Sequence, residues 1–266
     1  MLLQTKHADL YYERMGSGPT MLIVHGAVED TSYFSELAHY LRDFFDVITY
    51  DRRGNSESRP KEGASFDHAG QTEDAVSLIR ELDLHDVILF GHSAGGQVCF
   101  ETFKALPGRI RHVIAYETPL LELLPDRDER VGWVERVETL NAQHRNRETS
   151  KEFAVSIGEQ DERARKKTPD EKIKDRQNFG HFINYEFHDF SYYQPDIAFL
   201  KTNARYITLL QGDRNHGHYF HVSMQVLSEK IGCRLFYTAG CHNAPYDIPE
   251  SFAISLIGVC RYLRLL

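Results

Sequence analysis

The sequence has no long apolar run. None of its hydrophobic stretches reaches the roughly 18–20 residues that a membrane-spanning helix needs, so a membrane-embedded protein is not expected. At the amino terminus, MLLQTKHADL carries Gln4, Lys6, His7 and Asp9 where a secretory core would be apolar, and a cytoplasmic location is the default expectation. Positive charge is also short: 31 Lys and Arg stand against 39 Asp and Glu, a formal net charge of −8. That balance argues against nucleic acid or an anionic membrane as the main partner. Cysteine is sparse. Cys99, Cys233, Cys241 and Cys260 form no C-x-x-C pair, so their spacing suggests no zinc site, and in a reducing compartment they are expected as free thiols. No internal repeat or low-complexity segment stands out.

What is present is a chain of ordinary globular composition, long enough at 266 residues for one α/β core with an added lid. Short apolar runs alternate with helical spacing. Residues 9–15 read as an edge strand, ended by Gly16-Ser17-Gly18-Pro19. MLIVHG at 21–26, DVITYD at 46–51, DVILFGH at 86–92 and RHVIAYE at 111–117 read as strands, the most apolar of them buried on both faces. Between them, 31–41, 67–83 and 94–106 carry helical periodicity. The pattern breaks at about residue 120 and resumes at 205–213, followed by a helix at 218–231, a strand at 234–240 and a closing helix at 251–263. This alternation predicts an α/β fold, with a mostly parallel central sheet and helices on both faces. Residues 1–119 and 204–266 would form the core.

The interval 120–203 is charged and lacks a convincing buried strand, but has helical stretches at 129–140 and 151–157. It reads as a helical lid inserted between strands. Its aromatics, Phe179, Phe182, Tyr185, Phe187, Phe190, Tyr192 and Tyr193, count against a disordered loop. The basic run at 163–167 reads as a solvated helix face.

The chemistry centres on Gly91-His92-Ser93-Ala94-Gly95, a G-x-S-x-G motif entered from the most apolar strand and left through a helix. That context holds a serine hydroxyl above the sheet in a tight turn, beside a helix N-terminus that favours negative charge. The bland alternative is a glycine-rich turn with an inert serine. Serine is a poor nucleophile until an imidazole accepts its proton. Of the 14 histidines, His242 lies in a loop after the last strand. His25 and His92 flank motifs and are expected to hydrogen-bond locally. His216, His218 and His221 suggest a metal site only weakly, since no carboxylate or thiolate clearly completes it.

With these motifs the chain resembles the α/β-hydrolase family over nearly its whole length. HGA at 25–27 is similar to the family's oxyanion loop, YDRRGNSES at 50–58 to its Y-D-x-R-G-x-G-x-S loop with Asn55 in place of a glycine, and CHNAPYDIPESF at 241–252 to its late histidine segment. The resemblance implies Ser93 as nucleophile, His242 as base, and the backbone N–H groups of Ala27 and Ala94 as oxyanion hole. It gives Asp51 a structural role. For the triad acid, Asp213 in its QGDR setting is preferred, with Glu117 as rival. A gap-free fit to the family's G-x-x-D pattern lands on Asn215.

The implied activity is hydrolysis of a small or medium carboxylic ester through an acyl-enzyme, with no cofactor and no metal. A carbon–carbon bond hydrolase, a cofactor-free haloperoxidase or perhydrolase, a hydroxynitrile lyase and a small-molecule receptor with a slow triad use the same residues. Serine at the elbow disfavours haloalkane dehalogenase and epoxide hydrolase chemistry.

Overall fold

The computed structural model describes residues 1–158, 160–161 and 166–266. Most of the basic run at 163–167 lies outside the described residues. Among them, nine strands form one mixed sheet. They are β1 (Leu2–Gln4), β2 (Ala8–Gly16), β3 (Thr20–Val24), β4 (Asp46–Tyr50), β5 (Arg59–Pro60), β6 (Val87–His92), β7 (Ile110–Tyr116), β8 (Ile207–Gly212) and β9 (Arg234–Thr238). The spatial order is β1-β2-β4-β3-β6-β7-β8-β9, with β5 on β2. Pairing is parallel from β4 onward through β3 to β9, and antiparallel where β2 meets β1, β4 and β5.

Each central strand is apolar because both of its faces are covered. One face packs under α2 (His68–Glu81) and α3 (Ala94–Ala105); the other packs under α1 (Ser35–Leu41) and a late carboxyl-terminal helix at Pro249–Tyr262. Leu22, Val24, Leu89 and Val113 point into the first layer, whereas Met21, Ile23, Ile88, Phe90 and Ile114 point into the second, following the two-residue period of a strand. The 9–15 strand is not an edge. β1 and β5 pair with it, although they are only three and two residues long.

Between β7 and β8 the described chain is helical: α4 (Arg127–Ala142), α5 (Asn146–Ser156), α6 (Pro169–His181), a π-helical turn at Phe182–Glu186, α7 (Phe187–Ser191) and α8 (Ile197–Thr202). Thr168 caps α6 with Pro169 and Glu171 behind it, a reciprocal capping box. The remaining helices are α9 (Tyr219–Ile231), the short α10 (Ala244–Asp247), and α11, the closing helix Pro249–Tyr262. The insertion is anchored to the core by charge. Arg52 and Glu186, both without solvent exposure, form a two-pronged pair at 3.0 and 2.9 Å. Gln71 of α2 donates to the same carboxylate at 2.7 Å. No helix among the described residues is long and apolar enough to cross a membrane.

Candidate active site

The site assembles at the carboxyl ends of β3, β6 and β7, three adjacent strands, and the loop after β9. Ser93 follows β6 directly and takes φ 52°, ψ −129° before α3 begins. A non-glycine residue in that conformation costs on the order of 1–3 kcal/mol and persists only where the surroundings enforce it. The turn closes because its neighbours are small: a Cβ on Gly91 would lie 2.6 Å from Gly96 Cα, and one on Gly26 would lie 2.7 Å from Ser93 Cβ. Two further residues at the site have positive φ: Val28 at 69° and Glu117 at 45°. Such backbone therefore occurs in the loop after β3, at the elbow and at the end of β7.

His242 is buried, and its Nδ1 lies 2.9 Å from Glu117 Oε2. A carboxylate oxygen only accepts, so Nδ1 carries the proton and Nε2 is left as the basic nitrogen. Glu117 has no solvent exposure and is held from two more sides. The Gly212 N–H donates to Oε1 at 2.8 Å, and Asn215 Nδ2 donates to Oε2 at 2.9 Å.

This geometry corrects the expectation for Asp213. Its side chain is half exposed, and Oδ1 accepts the Gly240 N–H at 2.9 Å, two residues before His242. Asp213 braces the loop that carries the histidine and is not the carboxylate paired to its ring. The turn after β8 gives that carboxylate the Gly212 amide and the Asn215 side chain instead of an acid of its own.

A second imidazole–carboxylate pair lies beside the first. Nδ1 of His92 faces both oxygens of Glu29, at 2.7 and 3.0 Å, and its Nε2 faces the His242 carbonyl at 2.8 Å. Both partners are acceptors, so the ring holds two protons and a positive charge. Burial works against that charge, but the Glu29 carboxylate outweighs it and raises the His92 pKa. Glu29 also accepts the Gly26 N–H at 2.6 Å, so one carboxylate ties the loop after β3 to the elbow. For His242, burial lowers the pKa; the nearby His92 charge adds to that effect and Glu117 opposes it. The expectation that His25 bonds locally matches the structure: Nδ1 donates to the Gly26 carbonyl at 2.9 Å and Nε2 accepts from the Arg52 N–H at 2.8 Å. Asp51 accepts the amides of Thr31 and Glu57 at 2.8 and 2.9 Å and braces its loop.

Ser93, His242 and Ala27 line one cavity of about 710 Å³, within the usual size range of small-molecule sites. The backbone N–H groups of Ala27 and Ala94 have no acceptor among the described residues. Helices α4, α5 and α6 supply much of the wall, including Phe153, Phe179 and Arg176. The aromatics at 179–193 divide. Phe179 faces the cavity; Phe182, Phe187, Phe190 and Tyr193 are buried in the packing between insertion and core; Tyr185 is exposed. His216 and His221 meet with ring centroids 5.1 Å apart, whereas the His218 ring packs on Phe220, and no group of three metal-binding side chains occurs among the described residues. Sequence reasoning missed Glu29. Its signal was the acidic pair Glu29-Asp30 just past the His25-Gly26-Ala27 motif.

The profile of the alpha/beta-hydrolase fold matches residues 19–205. The chain is 32% identical over 123 residues to the uncharacterized hydrolase YraK of Bacillus subtilis, covering 46% of this chain and 45% of that protein. It is 35% identical over 109 residues to the 2-(acetamidomethylene)succinate hydrolase of Mesorhizobium japonicum, covering 40% and 38%. These matches span less than half the length of either relative. An alpha/beta hydrolase from Sphaerobacter thermophilus superimposes with a TM-score of 0.69 at 19% identity, covering 95% of this chain and 99% of that one, a likeness of fold. With the profile matching well over half of its length, the chain belongs to the alpha/beta-hydrolase fold family.

Proposed function

We propose that the protein is a serine hydrolase that cleaves carboxylic esters through an acyl-enzyme on Ser93. The observation that carries this reading is the pairing of His242 Nδ1 with Glu117 in the same cavity that exposes Ser93. In the first step Ser93 attacks the ester carbonyl while His242 Nε2 takes its proton. Glu117 holds the imidazole in the required tautomer and stabilises the imidazolium that forms. Negative charge develops on the carbonyl oxygen, and the amides of Ala27 and Ala94 are placed to receive it. Preplaced backbone donors need no reorganisation, and one of them is typically worth roughly 2.7–4 kcal/mol in the transition state. The alcohol leaves with the proton from His242. Water, activated by the same base, then releases the acid.

The helices between β7 and β8 act as the lid in this reading. They enclose the reacting carbonyl, which strengthens the oxyanion-hole dipoles and positions the acyl chain. The test uses a fluorophosphonate probe, with the labelled residue mapped by mass spectrometry, and p-nitrophenyl esters of increasing length. Labelling confined to Ser93, with hydrolysis lost in Ser93→Ala, supports the reading. Hydrolysis by Ser93→Ala within tenfold of the parent would overturn it.

A further inference from the structure

Arginines of the helical insertion are mostly spoken for. Arg127 pairs with Glu122, Arg130 with Asp126, Arg136 with Glu152 and Arg145 with Glu148. Arg147 of α5 and Arg176 of α6 have no hydrogen-bond or ion-pair partner among the described residues. These two are the insertion arginines that line the Ser93 cavity. Both are solvent-exposed, which puts them at its rim. The carboxylates in the same wall already have partners. Asp175 accepts from Lys167 Nζ at 2.7 Å, and Glu29 is held by His92 and the Gly26 amide. Among the described residues the rim thus presents unmatched positive charge, on a chain whose net charge is −8. The cavity wall also carries an apolar stretch, Phe153, Phe179 and Ile183.

We propose that the substrate carries a carboxylate remote from the scissile bond, and that Arg147 and Arg176 bind it while an apolar spacer crosses the aromatic wall. This rests on the serine-hydrolase reading and names the substrate class for the same site. Guanidinium suits the task because it stays charged and offers paired N–H donors to a planar carboxylate. Recognition so far from the reacting carbonyl contributes binding that is uniform between ground and transition state, so it appears mainly in KM.

The experiment compares p-nitrophenyl half-esters of linear dicarboxylic acids with neutral p-nitrophenyl esters of matched chain length. The quantity read is the ratio of kcat/KM, acid over neutral. The parent enzyme favours the half-ester. Arg147→Gln and Arg176→Gln each lower the ratio about three- to tenfold, mainly through the KM of the half-ester. Raising salt from about 0.05 to 0.5 M lowers the parent's ratio as well, because rim charges are screened. A parent ratio near one, or a ratio unmoved in the double variant, overturns the carboxylate site while fluorophosphonate labelling of Ser93 leaves the hydrolase reading standing. Failure of both labelling and ester turnover overturns the two together.

Discussion

Glu117 and His242 meet at 2.9 Å across two loops that are 125 residues apart in the chain. Asn215, from the turn after β8, donates to the same Glu117 oxygen. The turn after β8 and the imidazole therefore meet on one Glu117 oxygen. Here the carboxylate comes from β7, and an amide from the turn after β8 supports it.

The first prediction follows from that exchange. Glu117→Gln keeps the shape but loses the charge and can impose the wrong tautomer, as an amide does in other triads, where the loss is about 10⁴ in kcat. Asp213→Asn touches the bond to the Gly240 amide and a long pair with Arg214 at 4.0 Å, and should lower kcat less than tenfold. Adding Asn215→Asp to Glu117→Gln puts a carboxylate on the side chain that shares the Glu117 oxygen with the ring and should recover part of the loss. Steady-state kinetics on one p-nitrophenyl ester decide it. A larger loss in Asp213→Asn than in Glu117→Gln would return the acid's role to Asp213.

The second prediction concerns pH. In the proposed mechanism His242 acts as base only when neutral, so kcat/KM falls as pH drops through its pKa. Burial and the charge of His92 place that pKa below the usual 6.5. The groups facing His92 are Glu29 from the loop after β3, Tyr116 and Glu117 from the β7 end, and His242 itself. With ring centroids 4.8 Å apart, the His92 charge makes protonation of His242 harder. His92→Gln removes the charge. Glu29→Gln removes its counter-ion and lets the ring go neutral. His92→Gln should move the acid limb of the kcat/KM profile upward by about one to two pH units, and Glu29→Gln by less, because Glu29 itself raises the His242 pKa. A limb that stays in place in both variants, whatever the absolute rate, would mean that His92 carries no charge that His242 feels.

The elbow could be read in the sequence because strand, turn and helix are contiguous there, and its steric demand shows as Gly91 and Gly95 around Ser93. The acid could not be chosen in the same way. Asp213 and Glu117 both end strands, and only the tertiary pairing of β7 with β8 decides which one meets the histidine. Asn215 held part of the answer, since an amide at the family's acid position implies a carboxylate elsewhere. β1 and β5 are too short to show any period. The pair of Arg52 with Glu186 joins residues 134 apart, so no local pattern announces it.

That pair makes the third prediction. Removing one partner of a buried ion pair leaves the other charge uncompensated and typically costs about 3–5 kcal/mol. Arg52→Met should therefore lower the unfolding free energy by about that much. Arg52→Met combined with Glu186→Leu should recover most of it, because two apolar side chains replace two charges. Denaturant unfolding of the two variants checks this. Equal stability of single and double variants would mean that Glu186 finds water or another partner once Arg52 is gone.

The last prediction separates two jobs among the aromatics of the insertion. Phe179 lines the cavity, whereas Phe187 is buried against Trp133 and Phe182, with ring centroids at 5.6 and 5.8 Å. Truncating a buried phenylalanine removes its transfer energy and leaves a cavity, typically at about 3–5 kcal/mol. Phe187→Ala should therefore lower stability by that order and leave the relative kcat/KM of short and long acyl esters near the parent's, measured where the variant remains folded. Phe179→Ala should do the reverse. It widens the wall beside the acyl chain, costs less stability because the ring is only partly buried, and shifts the preference toward longer acyl groups. The size of that shift is bounded by pocket contacts: one methylene in an apolar pocket is worth about 1–3 kcal/mol, or roughly 10–200-fold in kcat/KM. If Phe179→Ala destabilises as much as Phe187→Ala and leaves acyl preference unchanged, Phe179 serves as an anchor too. The acyl chain would then lie along another part of the wall.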